Sequence, residues 1–172
     1  MGIDPGTANL GFGVIRIEGG HMVALDGGVI ETDGSGSVEG RLCQIHSGLT
    51  ELIKWHQPAA LAIEEIFFGQ NVDSAMSVGQ ASGVTMLAAG QSGVECFSYT
   101  PQAIKKAVCG SGNAAKRQVQ NMVATLLNLS EVPKPDHAAD ALAVAICHGG
   151  SVGLRQAWAA GTDADSSMGV AS

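Results

Sequence analysis

Ala59-Ala60-Leu61-Ala62-Ile63 is an unbroken apolar run. A strand with one wet face alternates apolar and polar residues, so a short run without alternation reads as a strand covered on both faces, as parallel strands are. Such a strand commits the chain to a sheet with helices on either side. The run ends in Glu64-Glu65, and the start of the chain repeats the arrangement: Met1-Gly2-Ile3 leads to Asp4 and then to a Pro5-Gly6 turn. A lone charge at the end of a buried strand faces solvent, pairs with a cation or binds a metal, because burying it unpaired costs several kcal/mol. A third acidic segment opens the last apolar helix, Pro135-Asp136-His137-Ala138-Ala139-Asp140-Ala141-Leu142.

The patterns along the chain fit that sheet. Leu10 to Ile17 is β-branched and aromatic, Gly19-Gly20 signals a two-residue hairpin, and the return strand runs from His21 to Ile30 with a bulge or bend expected at Asp26-Gly27-Gly28. Leu42, Ile45, Leu49, Leu52 and Ile53 recur at helical spacing until Pro58. His46 and His56 belong to this helix or its end and are not read as ligands. Gly69-Gln70-Asn71 makes a loop. A segment rich in small residues then runs to Ala89, and Val94 to Tyr99 is a further strand. Thr100-Pro101 starts a short helix, and the glycine-rich loop 109–113 leads to a helix lined by Val119, Val123 and Leu127 for which Asn113 is the expected cap. The last helix spans Asp136 to His148. The order predicts an α/β domain over 1–150 on a five-stranded mixed sheet, three antiparallel strands and then parallel ones, with a disordered tail over 151–172.

The four cysteines are widely spaced and form no CxxC pair, which argues against structural zinc and a secreted scaffold. No leader or membrane span is visible, so a cytoplasmic protein without a membrane partner is expected. The net charge of -7 argues against nucleic acid at first sight, but its distribution does not. Lys105, Lys106, Lys116, Arg117 and Lys134 face only Glu131 between 105 and 134, so that segment is +4 and the remainder -11. A basic face on an acidic body, or simply a solvated helix face, satisfies this pattern.

Asp140 shares a helical face with His137 and Asp136. Asp136, in the first turn, reads as a cap or a partner of the helix dipole. Asp140 is followed by Ala141 to Ile146, apolar all round, and so needs a cation, either a basic side chain or a metal. Glu64 and Glu65 point to opposite faces of their strand; at most one joins a site, and spacing does not say which. Hard oxygen ligands from three segments suit Mg2+ or Mn2+, and a pair of such ions can drive phosphodiester hydrolysis.

Gly2-Ile3-Asp4-Pro5-Gly6-Thr7, Ala62-Ile63-Glu64-Glu65-Ile66-Phe67, Gly79-Gln80-Ala81-Ser82-Gly83-Val84 and His137-Ala138-Ala139-Asp140-Ala141-Leu142-Ala143 together resemble the RuvC family of bacterial Holliday-junction resolvases, in unbroken order over residues 2–148. Four motifs in sequence are specific where Asp-Pro-Gly-Thr alone is weak. The resemblance implies an RNase H-like fold and a homodimer that binds four-way DNA junctions. It further implies incision of two opposed strands with two metal ions per site, in recombination and repair beside the branch-migration motor RuvA and RuvB. It makes Asp4, Glu64, His137 and Asp140 the catalytic and metal-binding residues, choosing the first acid of the pair. Where some members carry aspartate this chain has His137, which softens the ligand set toward Mn2+ and offers a group to handle a proton. Phe67 takes the place of an aromatic that stacks on junction bases, and Lys105 and Lys116 match positions that contact phosphates.

Two features depart from the pattern. Only Met1, Gly2 and Ile3 precede the first acid, where the family carries a few more apolar residues; a trimmed start would leave a shortened strand, less stable and holding Asp4 less firmly. The acidic total predicts steep salt sensitivity of DNA binding. Two other classes compete. An actin-like or sugar-kinase ATPase uses Asp-x-Gly-Thr but needs a second domain, for which the chain is too short. A catalytically inactive junction-binding module would make the acids structural.

Overall fold

The computed structural model describes residues 1–65 and 72–166. Its elements are β1 (Gly2–Asp4), β2 (Asn9–Glu18), β3 (His21–Glu31), α1 (Val38–His56), β4 (Ala60–Glu64), α2 (Val72–Gln91), β5 (Glu95–Tyr99), α3 (Pro101–Cys109), α4 (Lys116–Leu126) and α5 (Asp136–Ser166). The strands form one sheet in the order β3-β2-β1-β4-β5. β1, β2 and β3 pair antiparallel; β1 with β4 and β4 with β5 pair parallel, as the sequence predicts.

Helices cover both faces. Ile3, Leu61 and Ile63 join Ile45, Leu49, Ile53 and Ala88 in a core beneath α1 and α2, whereas Ala62 joins Ile104, Val119, Val123 and Val144 beneath α3, α4 and α5. The alternation of a strand decides the rest: residues two apart share a face, so Asp4 follows Gly2, and Glu64 follows Ala62, onto the α5 side. Gly2 pairs with Ala62 and Ile3 with Ile63, so continuing the register sets Asp4 beside Glu64. β1 is short but paired on both sides, and Met1 adds a bond in which its carbonyl accepts from the Ala62 N–H at 2.8 Å.

The turns follow local chemistry. Gly19 and Gly20 have φ of +56° and +83°, the left-handed pair that a two-residue hairpin turn requires. Ser37 caps α1 by accepting from the Gly40 N–H, and the helix ends at Gln57, just before Pro58. Thr100 caps α3, with Pro101 in its first turn and Gly110 at φ +76° after its last.

Three local expectations are corrected. The irregularity in β3 lies at Leu25, between Asp26, which pairs with Val14, and Ala24, which pairs with Ile15; Gly27 and Gly28 remain in register. Asn113 does not cap α4. Ala115 holds the cap position without a side-chain bond, because the chain first turns Ala114 into the core. α5 continues past His148 to Ser166, into the stretch predicted to be a tail. Gly149 does not stop it, since that glycine serves packing: a Cβ there would lie 3.0 Å from Ile17 Cδ1 and 3.1 Å from Met22 Cε. Among the described residues no helix is long and apolar enough to cross a membrane.

Candidate metal centre and nucleic-acid interface

The C-terminal ends of β1 and β4 and the first turns of α5 meet at one point. α5 reaches it by lying almost on the backbone of β1 and β2. A Cβ on Gly2 would fall 2.2 Å from the Ala141 carbonyl, one on Gly11 2.2 Å from the His137 carbonyl, and one on Gly13 2.7 Å from the Leu142 nitrogen. With that clearance, His137 Nδ1 stands 2.7 Å from Asp4 Oδ2. One ligand atom from each of Asp4, His137 and Asp140 lies within 4.8 Å of the others. Asp136, on the outer side of the first turn, is exposed, in keeping with its reading as a helix-end charge.

Glu64 stands outside that tight trio yet feels it. Burial, then the charges of Asp4 and Asp140, push its carboxyl up to about 7, while Lys105 and Lys116 pull the other way. Asp4 is raised as well, chiefly by burial, with the hydrogen bond from His137 opposing and Asp140 adding to the rise. Glu65 is exposed past the strand end. Of the two adjacent acids, Glu64 faces the trio and Glu65 does not.

The donor chemistry fits a hard divalent cation. Three carboxylates and one imidazole converge, and two of the carboxyls, Asp4 and Glu64, resist ionisation because of burial and the charge of neighbouring carboxylates, a cost that a bound cation relieves. Lys116 Nζ already lies 3.0 Å from Asp140 Oδ2 and 3.3 Å from Asp136 Oδ2, so the cation that Asp140 requires is supplied in part by a salt bridge. The lysine is half exposed and on a flexible stem, which leaves it able to turn toward another anion.

Lys105 of α3 and Lys116 of α4 join Glu64 and Asp140 around a pocket of about 200 Å3 floored by Ile104 and Val144. Both cations named from the sequence therefore sit beside the acids. Phe67 lies outside the described residues. His46 and His56 are elsewhere: the first bonds Gln91 at 2.8 Å and the second Asp26 at 2.9 Å.

The sequence reading missed a polar knot behind Asp4. Arg41 of α1 donates from Nε to Thr32 Oγ1 at 3.0 Å and from Nη2 to Thr7 Oγ1 at 3.3 Å, and Thr7 Oγ1 also meets Ser77 Oγ of α2. These groups come from four separate segments, and no spacing rule links them.

The family model described as "Crossover junction endodeoxyribonuclease RuvC" matches residues 1–148. A crossover junction endodeoxyribonuclease RuvC of Rubrobacter xylanophilus is 51% identical over 148 residues, covering 86% of this chain and 83% of that protein. The structure of Thermus thermophilus RuvC in complex with Holliday junction substrate superposes with a TM-score of 0.82 at 40% identity, over 86% of this chain and 90% of that one. The yeast mitochondrial Holliday junction resolvase Ydc2 shares the fold at 13% identity, with a TM-score of 0.59 over 85% of this chain and 76% of its own.

Proposed function

This chain belongs to the RuvC family of crossover junction endodeoxyribonucleases, metal-dependent nucleases that resolve Holliday junctions, and from that premise we propose that Asp4, Glu64, His137 and Asp140 are its catalytic centre. The observation that carries the assignment is the convergence of Asp4, His137 and Asp140 within 4.8 Å, with Glu64 on the adjoining strand. These four side chains would hold two divalent ions, which supply the Lewis acidity that activates water and stabilises the leaving oxygen of a phosphodiester.

The remaining work falls to the protein's own groups. Lys105 and Lys116, on the rim of the adjoining pocket, bind phosphates of the strand to be cut. When Lys116 swings to DNA it releases Asp140 from its salt bridge, so substrate and metal favour each other at this acid. His137 is oriented by Asp4 through Nδ1, which leaves Nε2 for one role at a time, holding a metal ion or, when released from it, moving a proton of the water or the leaving group. Its imidazole softens the ligand set, which favours Mn2+ over Mg2+. Phe67, just beyond Glu64 in the chain, would stack on an unpaired base at the junction centre, where stacking contributes about 1 to 3 kcal/mol.

Among the described residues one chain carries one such centre, and resolution requires two incisions, so the working form we propose is a homodimer. The outer side of α2 suits a second copy: Met76, Met86 and Leu87 are exposed, and Cβ atoms at Gly83 and Gly90 would meet nothing. By family membership the dimer would act with the branch-migration proteins RuvA and RuvB.

The deciding experiment is cleavage of a synthetic mobile four-way junction, against linear duplex, with Mg2+ or Mn2+, comparing the wild type with Asp4→Asn. Paired nicks on the junction alone, lost in the variant, are expected. Tight junction binding without cutting under either metal would make the chain a binding module instead.

A further inference from the structure

We propose that Arg41 is a positioning residue for this centre: from α1 it clamps the loop 5–8 and so fixes the direction in which Asp4 leaves β1. The inference rests on Asp4 being a metal ligand.

The loop has few soft torsions of its own. Pro5 has a fixed φ and holds Asp4 before it in the extended region, and Gly6 is so tightly folded that a Cβ would fall 2.6 Å from the Asn9 carbonyl. Whatever holds Thr7 therefore holds Asp4. Thr7 is buried, and it is held at two atoms: its carbonyl accepts from Thr32 Oγ1 at 2.6 Å, and its hydroxyl accepts from Arg41 Nη2. Thr32 in turn accepts from Arg41 Nε, and its own N–H donates to the Ala8 carbonyl at 3.1 Å. The two prongs of one guanidinium thus act on Thr7, one directly and one through Thr32. Lysine, a point charge on a flexible stem, lacks the rigid planar fork that fixes both bonds at once. The positive charge also lies close enough to Asp33 to contribute, after the hydrogen bonds from Ser35, to holding that carboxyl below its usual range. The guanidinium is therefore engaged with protein groups rather than presented to phosphate.

The test measures Mn2+ binding to the junction-free protein by calorimetric titration in wild type, Arg41→Lys, Thr32→Val and Asp4→Asn, together with junction affinity without divalent metal and the melting temperature. Arg41→Lys and Thr32→Val should each weaken Mn2+ binding by about tenfold, the lower end of what losing a group that orients metal ligands commonly does. Junction affinity should be unchanged, and cleavage should recover at saturating Mn2+. Unaltered Mn2+ affinity in both variants would overturn the proposal, as would weakened junction binding with metal affinity intact, which would make Arg41 a phosphate contact. Should Arg41→Lys fail to fold, Thr32→Val keeps nearly the native shape and decides alone. If Asp4→Asn itself left Mn2+ affinity intact, the metal-centre reading would fail first, and the positioning role with it.

Discussion

Glu64 is the residue at which the site's chemistry shows most directly in its stability. Its carboxyl is pushed up to about 7 from 4.5 by burial and by the charges of Asp4 and Asp140. Between those pH values the folded protein keeps a proton that the unfolded chain has released. More protons are bound in the folded state, so the free energy of unfolding falls as pH rises through this window and stays lower above it, by about 3 kcal/mol. The metal-free protein should accordingly unfold at lower urea concentration at pH 8 than at pH 5. Glu64→Gln should remove most of that slope. Asp4, also raised, adds in the same direction and leaves a remainder. Mn2+ should stabilise the wild type more at pH 8, where it meets an ionised carboxylate. An identical pH slope in Glu64→Gln would mean that Glu64 is not the group responsible. Glu64 also marks how far single residues could be read from the sequence. A strand ending in two acids is visible, but which of them faces the site is fixed by the parity of Leu61, Ala62 and Ile63 between two cores, and all three are apolar. Arg41 lay further out of reach, since its hydroxyl partners, Thr7 and Thr32, come from the first turn and from just past β3.

At the scale of elements, the centre depends on how low α5 rides on the sheet. Gly11 and Gly13 of β2 both lack room for a Cβ beneath that helix, but they lie under different parts of it. Gly11 meets the backbone of His137, a proposed ligand, whereas Gly13 meets Leu142, which belongs to the core. Gly11→Ala and Gly13→Ala should each cost roughly 1 to 3 kcal/mol through overpacking, seen as a lower melting temperature. Only Gly11→Ala should also raise the Mn2+ concentration for half-maximal junction cleavage, because it lifts His137 away from Asp4. Equal metal dependence in the two variants would show that helix height does not set the site. The elements themselves were largely legible. Periodicity, the Thr100-Pro101 helix start and the Gly19-Gly20 turn yielded the five strands and most of the helices near their observed places, because those signals are local. The glycines under α5 were not, since a clearance between strand and helix exists only after both are packed. The same reason explains Gly149, just past the expected end of the last helix, where a Cβ would press on Ile17 and Met22.

For the whole molecule, charge and assembly must reconcile an acidic protein with a polyanionic substrate. Two of the five cations of residues 105–134, Lys105 and Lys116, lie beside the acids that would bind metal, so positive charge stands where an otherwise acidic chain would meet DNA. Lys105→Ala and Lys116→Ala should each weaken junction binding and lower the slope of log affinity against log salt by about one. A slope that did not change would remove those lysines from the phosphate path. The sequence exposed this asymmetry but not the surface by which two copies would meet, because α2 has small and apolar residues on more than one side. In the fold Ala75, Ala81, Ala88 and Ala89 are buried, which leaves Met76, Met86 and Leu87 facing outward. Replacing Leu87 by glutamate adds no bulk to the core and sets a charge where a second copy would have to desolvate it. Leu87→Glu should sediment as a monomer with an unchanged melting temperature. On a supercoiled plasmid that extrudes a cruciform, the wild type should give linear product from two coupled cuts, and the variant nicked circles from single ones. A Leu87→Glu protein that remained dimeric would move the interface off α2. A monomer that still produced linear DNA would separate paired incision from the dimer altogether.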